Sequence, residues 1–145
     1  MKLIIQRVNR AKVIRVAEVT GQIDKGLFVL VGVKKGDTTK QAEELANKLV
    51  KLRIMSDENE KMNLNLVDAK GKILAVSQFT LYANTKDGNR PSFLDAETPD
   101  KAKVIYEHFV KIIKNLGIDC EIGSFGNYMK IDTELDGPVT IVLEN

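Results

Sequence analysis

The sequence is poor in the residues that carry most side-chain chemistry. Its 145 residues include one cysteine, Cys120, one histidine, His108, and no tryptophan. A lone cysteine excludes an internal disulfide and suits a reducing compartment. One His and one Cys cannot furnish a His/Cys zinc cluster. Gly-x-Gly-x-x-Gly and Gly-Lys-Ser/Thr loops are missing, which removes the common nucleotide cradles. An excess of one charge is missing too. The 22 basic residues against 20 acidic ones leave a net +2, too little for a broad electrostatic grip on nucleic acid, although a small basic patch stays open. The longest apolar run, Leu27 to Val33, is far short of a membrane span. The opening Met1-Lys2-Leu3-Ile4-Ile5-Gln6-Arg7 meets charge too early for a signal peptide. The expectation is a soluble cytoplasmic protein.

What is present is the composition of an ordinary globular domain, 43% hydrophobic and 29% charged with 10 Gly and 3 Pro. The length suits a single domain over 1–145 with a substantial core. Lys2–Val8 and Ala11–Val16 carry β-branched residues in partial alternation and read as two strands. Gly21 and Gly26 punctuate the following turn. The continuous apolar run after them predicts a strand buried on both faces. Thr38-x-x-Gln41 has the form of a capping box, and Ala42, Leu45, Leu49 and Leu52 repeat at helical spacing behind it. Asp57–Lys61 is a polar turn without calcium-loop spacing. Lys72–Phe79 reads as a second core strand, and residues 84–99 as a loop.

Thr98-Pro99 opens another helix, with Thr as N-cap and Pro at the first helical position. Its stripe is Ala102, Ile105, Phe109, Ile112 and Leu116, and Gly117 closes it. His108 flanks this stripe and reads as a partly exposed structural histidine. Short strands are expected over Ile118–Ile122, Tyr128–Thr133 and Val139–Leu143, with Cys120 a small buried hydrophobe. The order of strands, helix, strand, helix, strands favours one α/β domain, a mixed sheet system covered by two helices.

Two segments look wrong for pure scaffolding. In Ser77-Gln78-Phe79-Thr80-Leu81-Tyr82 a buried strand turns abruptly to hydroxyl and amide groups, and open α/β sheets place ligands at such strand ends. Satisfying local backbone groups is an equally weighted reading of Ser77 and Thr80. The second segment is Asp136-Gly137-Pro138-Val139-Thr140. A Gly-Pro pair by itself is most often a plain turn.

Together these segments resemble the two signature motifs of the D-aminoacyl-tRNA deacylase family, chiral proofreading hydrolases. The resemblance spans essentially the whole chain: Ile5-Gln6-Arg7-Val8, Gly26-Leu27 through Gly32-Val33, Arg90-Pro91-Ser92-Phe93, and Gly123-x-Phe125-Gly126-x-x-Met129 fall in the family's order and spacing. Two positions depart from the family pattern: Leu135, where Asn is common, and Asn127, where a small residue is common.

The resemblance implies barrel-like, layered, mixed β-sheets covered by two helices, in the order two strands, two αβ units, three strands. It implies hydrolysis of the ester joining a D-amino acid, and glycine as an achiral substrate, to the 3′-terminal adenosine of tRNA. It implies a homodimer whose Gly137–Pro138 loop, with a cis peptide, enters the partner's site. There the carbonyl oxygens of Gly137 and Pro138 would face the substrate's amino group, and steric exclusion would reject an L side chain.

By the same resemblance Ser77, Gln78, Phe79 and Thr80 line the ester. An oxyanion donor among them is typically worth about 3–4 kcal/mol. Phe125 stacks near the adenine, Met129 contacts the aminoacyl-nucleoside through its backbone, and Arg7 braces the loop. No cofactor, metal, membrane or DNA is implied. Thr80 is a candidate nucleophile, but no His lies near it in sequence to act as base. The expected mechanism is instead water attack assisted by the substrate's own 2′-hydroxyl. Lys86 and Arg90 are candidate phosphate contacts, a solvated loop being equally weighted. A catalytically silent RNA- or metabolite-binding dimer and a general esterase using Thr80 covalently are the competing readings.

Overall fold

One long strand organises the molecule. In the computed structural model, which describes all of Met1–Asn145, β1 runs unbroken over Lys2–Arg15. One edge of β1 pairs antiparallel along its length with the C-terminal strand β8 (Lys130–Glu144). Its other edge is shared. Lys2–Val8 pairs with β3 (Gly26–Gly32), and Ala11–Arg15 pairs with β2 (Glu18–Ile23). From β3 the sheet continues in parallel to β6 (Lys72–Ser77) and then to β7 (Cys120–Ile122). Each parallel step needs a crossover, supplied by α1 (Thr39–Lys51) and α2 (Pro99–Asn115). A small hairpin, β4 (Met55–Ser56) with β5 (Met62–Leu64), interrupts the first crossover.

The sequence pattern accounts for the layers. Leu27, Val29 and Val31 of β3 and Ile73 and Ala75 of β6 face the helices, in a core with Leu45, Leu49, Phe109 and Ile113. Phe28, Leu74 and Val76 point the other way, into a second cluster with Val8, Ala11, Val13 and Ile23. The sheet therefore curls until β2 lies across β6 and β7, nearly closing a barrel. Gly21 permits this closure, because a Cβ there would collide with the Ile122 carbonyl oxygen. The fold is the mixed, barrel-like sheet with two helices that the sequence leads one to expect.

Several boundaries differ from expectation. The two predicted N-terminal strands are one, and β2 occupies the stretch read as a turn. The turn falls at Val16-Ala17, both at positive φ (48° and 68°). Thr38 and Gln41 form the predicted capping box. Thr98 caps α2 by position only, its side chain making no capping bond. The strand predicted to reach Phe79 stops at Ser77, and Phe79–Tyr82 forms a single 3-10 turn. The last two predicted strands are also one, with Gly137–Pro138 inside it as a bulge. Thr140 pairs with Gln6 and Leu135 with Val8, so four residues stand opposite Arg7 alone.

Candidate active site

A cleft of about 700 Å³ opens where β3, β6 and β7 end at their carboxyl termini, the place where α/β sheets bind ligands. Ser77, Gln78 and Phe79 form its floor and one wall. The Gln78 N–H donates to the Val31 carbonyl at 2.8 Å, fixing the point at which the chain leaves β6. Beyond it, the Gln78 side-chain amide donates to Thr80 Oγ1 at 2.6 Å. Thr80 is exposed and stands outside the cleft lining. Across from them lie Phe125 and Met129, the Ile131 side chain at the start of β8, and Ala102 from α2.

The 124–129 turn is firmly held. The Ser124 N–H donates to Met129 Sδ at 3.1 Å. Asn127 Nδ2 donates to Ser124 Oγ at 2.9 Å and to the Phe125 carbonyl at 3.1 Å. Gly126 takes a positive φ of 71°. Behind the turn, the buried Tyr106 hydroxyl donates to the Ala75 carbonyl at 2.9 Å, and its ring lies 5.8 Å from that of Phe125. Burial pushes the Tyr106 phenol above its ordinary range, so it stays a neutral donor. Phe79 meets Phe93 edge to face at 5.0 Å, a favourable aromatic geometry.

The one carboxylate in the lining, Glu97, is occupied structurally. It accepts from the Gly36 N–H at 3.0 Å and the Thr98 N–H at 2.8 Å, and these bonds, led by that of Gly36, hold its pKa below the usual carboxylate value. A carboxylate so satisfied is a weak base. His108 sits on α2, bonded to Glu43 of α1 at 2.8 Å, and takes no part in the lining. Cys120 is buried, its thiol pushed up to about 12 by desolvation, as suits an inert core residue.

Arg7 and the Gly137–Pro138 loop form a separate group. Arg7 is 6% exposed. One of its terminal nitrogens donates to the Ile54 carbonyl at 2.9 Å. Its Nε stands 2.9 Å from Asp136 Oδ2, with the N–H not aligned along the contact. Gly137 has φ of 124° and its peptide to Pro138 is cis. A Cβ at Gly137 would lie 2.9 Å from the Val139 nitrogen and 3.3 Å from Arg7 Nη2, so only glycine fits without displacement.

The sheet register keeps this group away from the cleft of the same chain. Arg7 is level with Leu27 and thence with Ile73, and Ser77 lies four residues further along β6, roughly 13 Å at strand spacing. Of the predicted site residues, Ser77, Gln78, Phe79, Phe125 and Met129 thus come together, Thr80 stands at their edge, and Arg7, Gly137 and Pro138 do not join them. Lys86 and Arg90 lie exposed in a loop closed by paired hydrogen bonds between Asn84 and Ser92. Sequence reading missed Phe93, Glu97 and Tyr106 as site components. An isolated Phe in a polar loop was the available signal for Phe93. Tyr106 is indistinguishable from core in the sequence.

Comparison with known proteins places the chain. The model of the family described as D-Tyr-tRNA(Tyr) deacylase matches residues 4–144. The D-aminoacyl-tRNA deacylase of Thermosipho melanesiensis is 52% identical over 100% of this chain and 97% of its own length. That of Lactobacillus gasseri is 49% identical over 99% of each. Among solved structures, one named c-Myc DNA Unwinding Element Binding Protein is 36% identical with a TM-score of 0.93, covering 100% of this chain and 99% of its own. A probable eukaryotic D-amino acid tRNA deacylase, 16% identical with a TM-score of 0.83 over 98% and 97% of the two chains, shares the fold.

Proposed function

Because the chain belongs to the D-Tyr-tRNA(Tyr) deacylase family, we propose that it hydrolyses the ester between a D-amino acid, or glycine, and the 3′-terminal adenosine of tRNA. The observation that carries this reading is the separation of the two motif segments within one chain. The cleft gathers Ser77, Gln78, Phe79, Phe125 and Met129, while the Gly137–Pro138 loop sits at the far end of the sheet, on a strand whose outer edge is unpaired. A loop that cannot reach its own cleft is accounted for by a homodimer in which each copy completes the other's site. The family's chiral discrimination needs just this: carbonyl oxygens of Gly137 and Pro138 directed at the substrate's amino group, leaving no space for an L side chain. Arg7, through Asp136, would set the loop's height.

In this reading the adenine lies against Phe125, the aminoacyl group lies between Met129 and Phe79, and the amide of Gln78 and main-chain N–H groups of the same segment stabilise the oxyanion. No lining side chain is suited to act as general base, since Glu97 is committed to two N–H groups. Thr80 has only Gln78 within hydrogen-bond reach, so it lacks the partner a nucleophilic hydroxyl needs. The 2′-hydroxyl beside the ester is left to assist water, with the protein supplying orientation and exclusion. Lys86 and Arg90 would meet tRNA phosphates at the outer rim. The near-neutral charge of +2 favours this small contact over broad duplex binding.

Deacylation of D-Tyr-tRNA set against L-Tyr-tRNA tests the assignment. The expected result is strong D selectivity, with Thr80→Ala retaining most of the rate. Cleavage of neither substrate would leave a binding module. Equal cleavage of both enantiomers, or a trapped acyl-Thr80, would leave an ordinary esterase.

A further inference from the structure

Tyr128 is 89% exposed, yet it belongs to the wall of the cleft that also contains Phe125 and Met129. Neither its hydroxyl nor its ring has a partner within the chain: the close aromatic pairs are Phe79–Phe93 and Tyr106–Phe125. An unpartnered surface tyrosine on a mobile loop would mean little. This one is presented by a turn braced through Asn127, Ser124 and Met129, so its backbone is fixed at the cleft mouth and only the two side-chain torsions remain to be ordered by a ligand. It stands three residues from the aromatic ring assigned to the adenine, on the solvent side.

We propose that Tyr128 is a stacking platform for the nucleobase immediately 5′ of the terminal adenosine. The inference rests on the deacylase reading and adds a second recognised nucleotide to it. A tRNA 3′ end is single-stranded, and its penultimate residue is a cytidine whose base has no pairing partner. Proteins hold such strands by laying successive bases on aromatic rings, which is sequence-tolerant because every base has a π-face. The chain's small net charge makes base stacking, more than phosphate attraction, the available grip outside the cleft. The site so extended would distinguish an aminoacyl ester on an oligonucleotide from one on a free nucleoside.

The experiment compares two substrates, D-tyrosyl-tRNA and 3′-D-tyrosyl-adenosine, on the wild-type protein, Tyr128→Ala and Tyr128→Phe. The expected result is that Tyr128→Ala raises KM for the tRNA substrate by about 5- to 150-fold, the range of one lost base stack, with kcat unchanged. Its kinetics on 3′-D-tyrosyl-adenosine stay at the wild-type level, and Tyr128→Phe behaves as wild type on both. Equal effects on the two substrates, or none on either, overturn the proposal. A fall to monomer in sedimentation with both substrates slowed alike assigns the ring to an interface between copies and overturns it as well. A wild-type protein that cleaves neither substrate sinks the functional reading, and this inference with it.

Discussion

Arg7 is a charged residue only 6% exposed. On sequence grounds it is an ordinary strand arginine, expected to be solvated or paired at the surface. It is instead enclosed between Ile54 and Asp136, under the bulge of β8. Removing one partner of a buried pair leaves the other uncompensated, and the partial exposure of Asp136 tempers that cost. Arg7→Ala should therefore lower stability by about 2–4 kcal/mol in urea denaturation, and a loss below about 1 kcal/mol would count against a bracing role. Arg7→Lys should rescue little, because an ammonium cannot span the Ile54 carbonyl and the carboxylate together.

Cys120 makes a different prediction. Its folded-state pKa, raised to about 12 from an ordinary value of 9.0, means that the unfolded chain releases the thiol proton first as pH rises. The stabilisation is complete below about pH 9 and disappears between about 9 and 12. The urea midpoint should fall steadily from pH 9 upward, and Cys120→Ala should remove the first part of that slope. The buried Tyr106 phenol, shifted in the same direction, extends the loss to higher pH. A midpoint constant from pH 8 to 10.5 would show that the thiol is not buried as described.

At the level of elements, the two helix starts look alike in sequence and differ in structure. Thr38 accepts from the Lys40 N–H at 3.3 Å while Gln41 Oε1 accepts from the Thr38 N–H at 2.9 Å. Thr98 makes no such bond; only its own N–H is satisfied, by Glu97, in the part Gln41 plays at α1. Thr38→Ala should cost about 1 kcal/mol, and Thr98→Ala about 0.3 kcal/mol or less. Equal losses in thermal denaturation would contradict the caps as seen.

The helices and the doubly buried β3 were legible because their signals are local: apolar spacing, a capping box, Pro at the first turn. The long strands were not. Exposed Asn9 and Arg10 break the alternation of β1, and Gly137–Pro138 breaks that of β8, yet each strand continues because the other pairs with it across the interruption. Gly21 reads as a turn for the same reason. Its lack of a side chain serves a crossing with β7 that lies a hundred residues away in sequence.

At the scale of the whole molecule, the proposed function requires a site shared between two copies, because the cleft and the loop do not meet in one chain. A C2 dimer would carry two such sites, each built from the cleft of one copy and the loop of the other. Mixing a loop-defective variant, Gly137→Ala, with a cleft-defective one, Phe79→Ala, gives a direct test. After dissociation and reassociation, half the dimers are mixed and each holds one intact site, so activity on D-Tyr-tRNA should recover to about a quarter of wild type. No recovery would place cleft and loop in the same subunit's service.

Local pattern alone was enough to determine one α/β domain, two helices, a strand buried on both faces and two motifs too polar for their surroundings. These follow from side-chain periodicity and from the short list of residues that cap, turn or kink a chain, all of which act within a few positions. Which parts touch was decided only by the tertiary structure: that Arg7 is buried beneath Asp136, that Tyr106 supports Phe125, that Phe93 meets Phe79, and that the Gly-Pro bulge lies three strands over from Ser77 and about 13 Å short of it along the strand direction. Those facts depend on how the sheet curls and on the register of β1 against β3 and β8, and register is set by the burial of whole faces together, which no short stretch of sequence encodes.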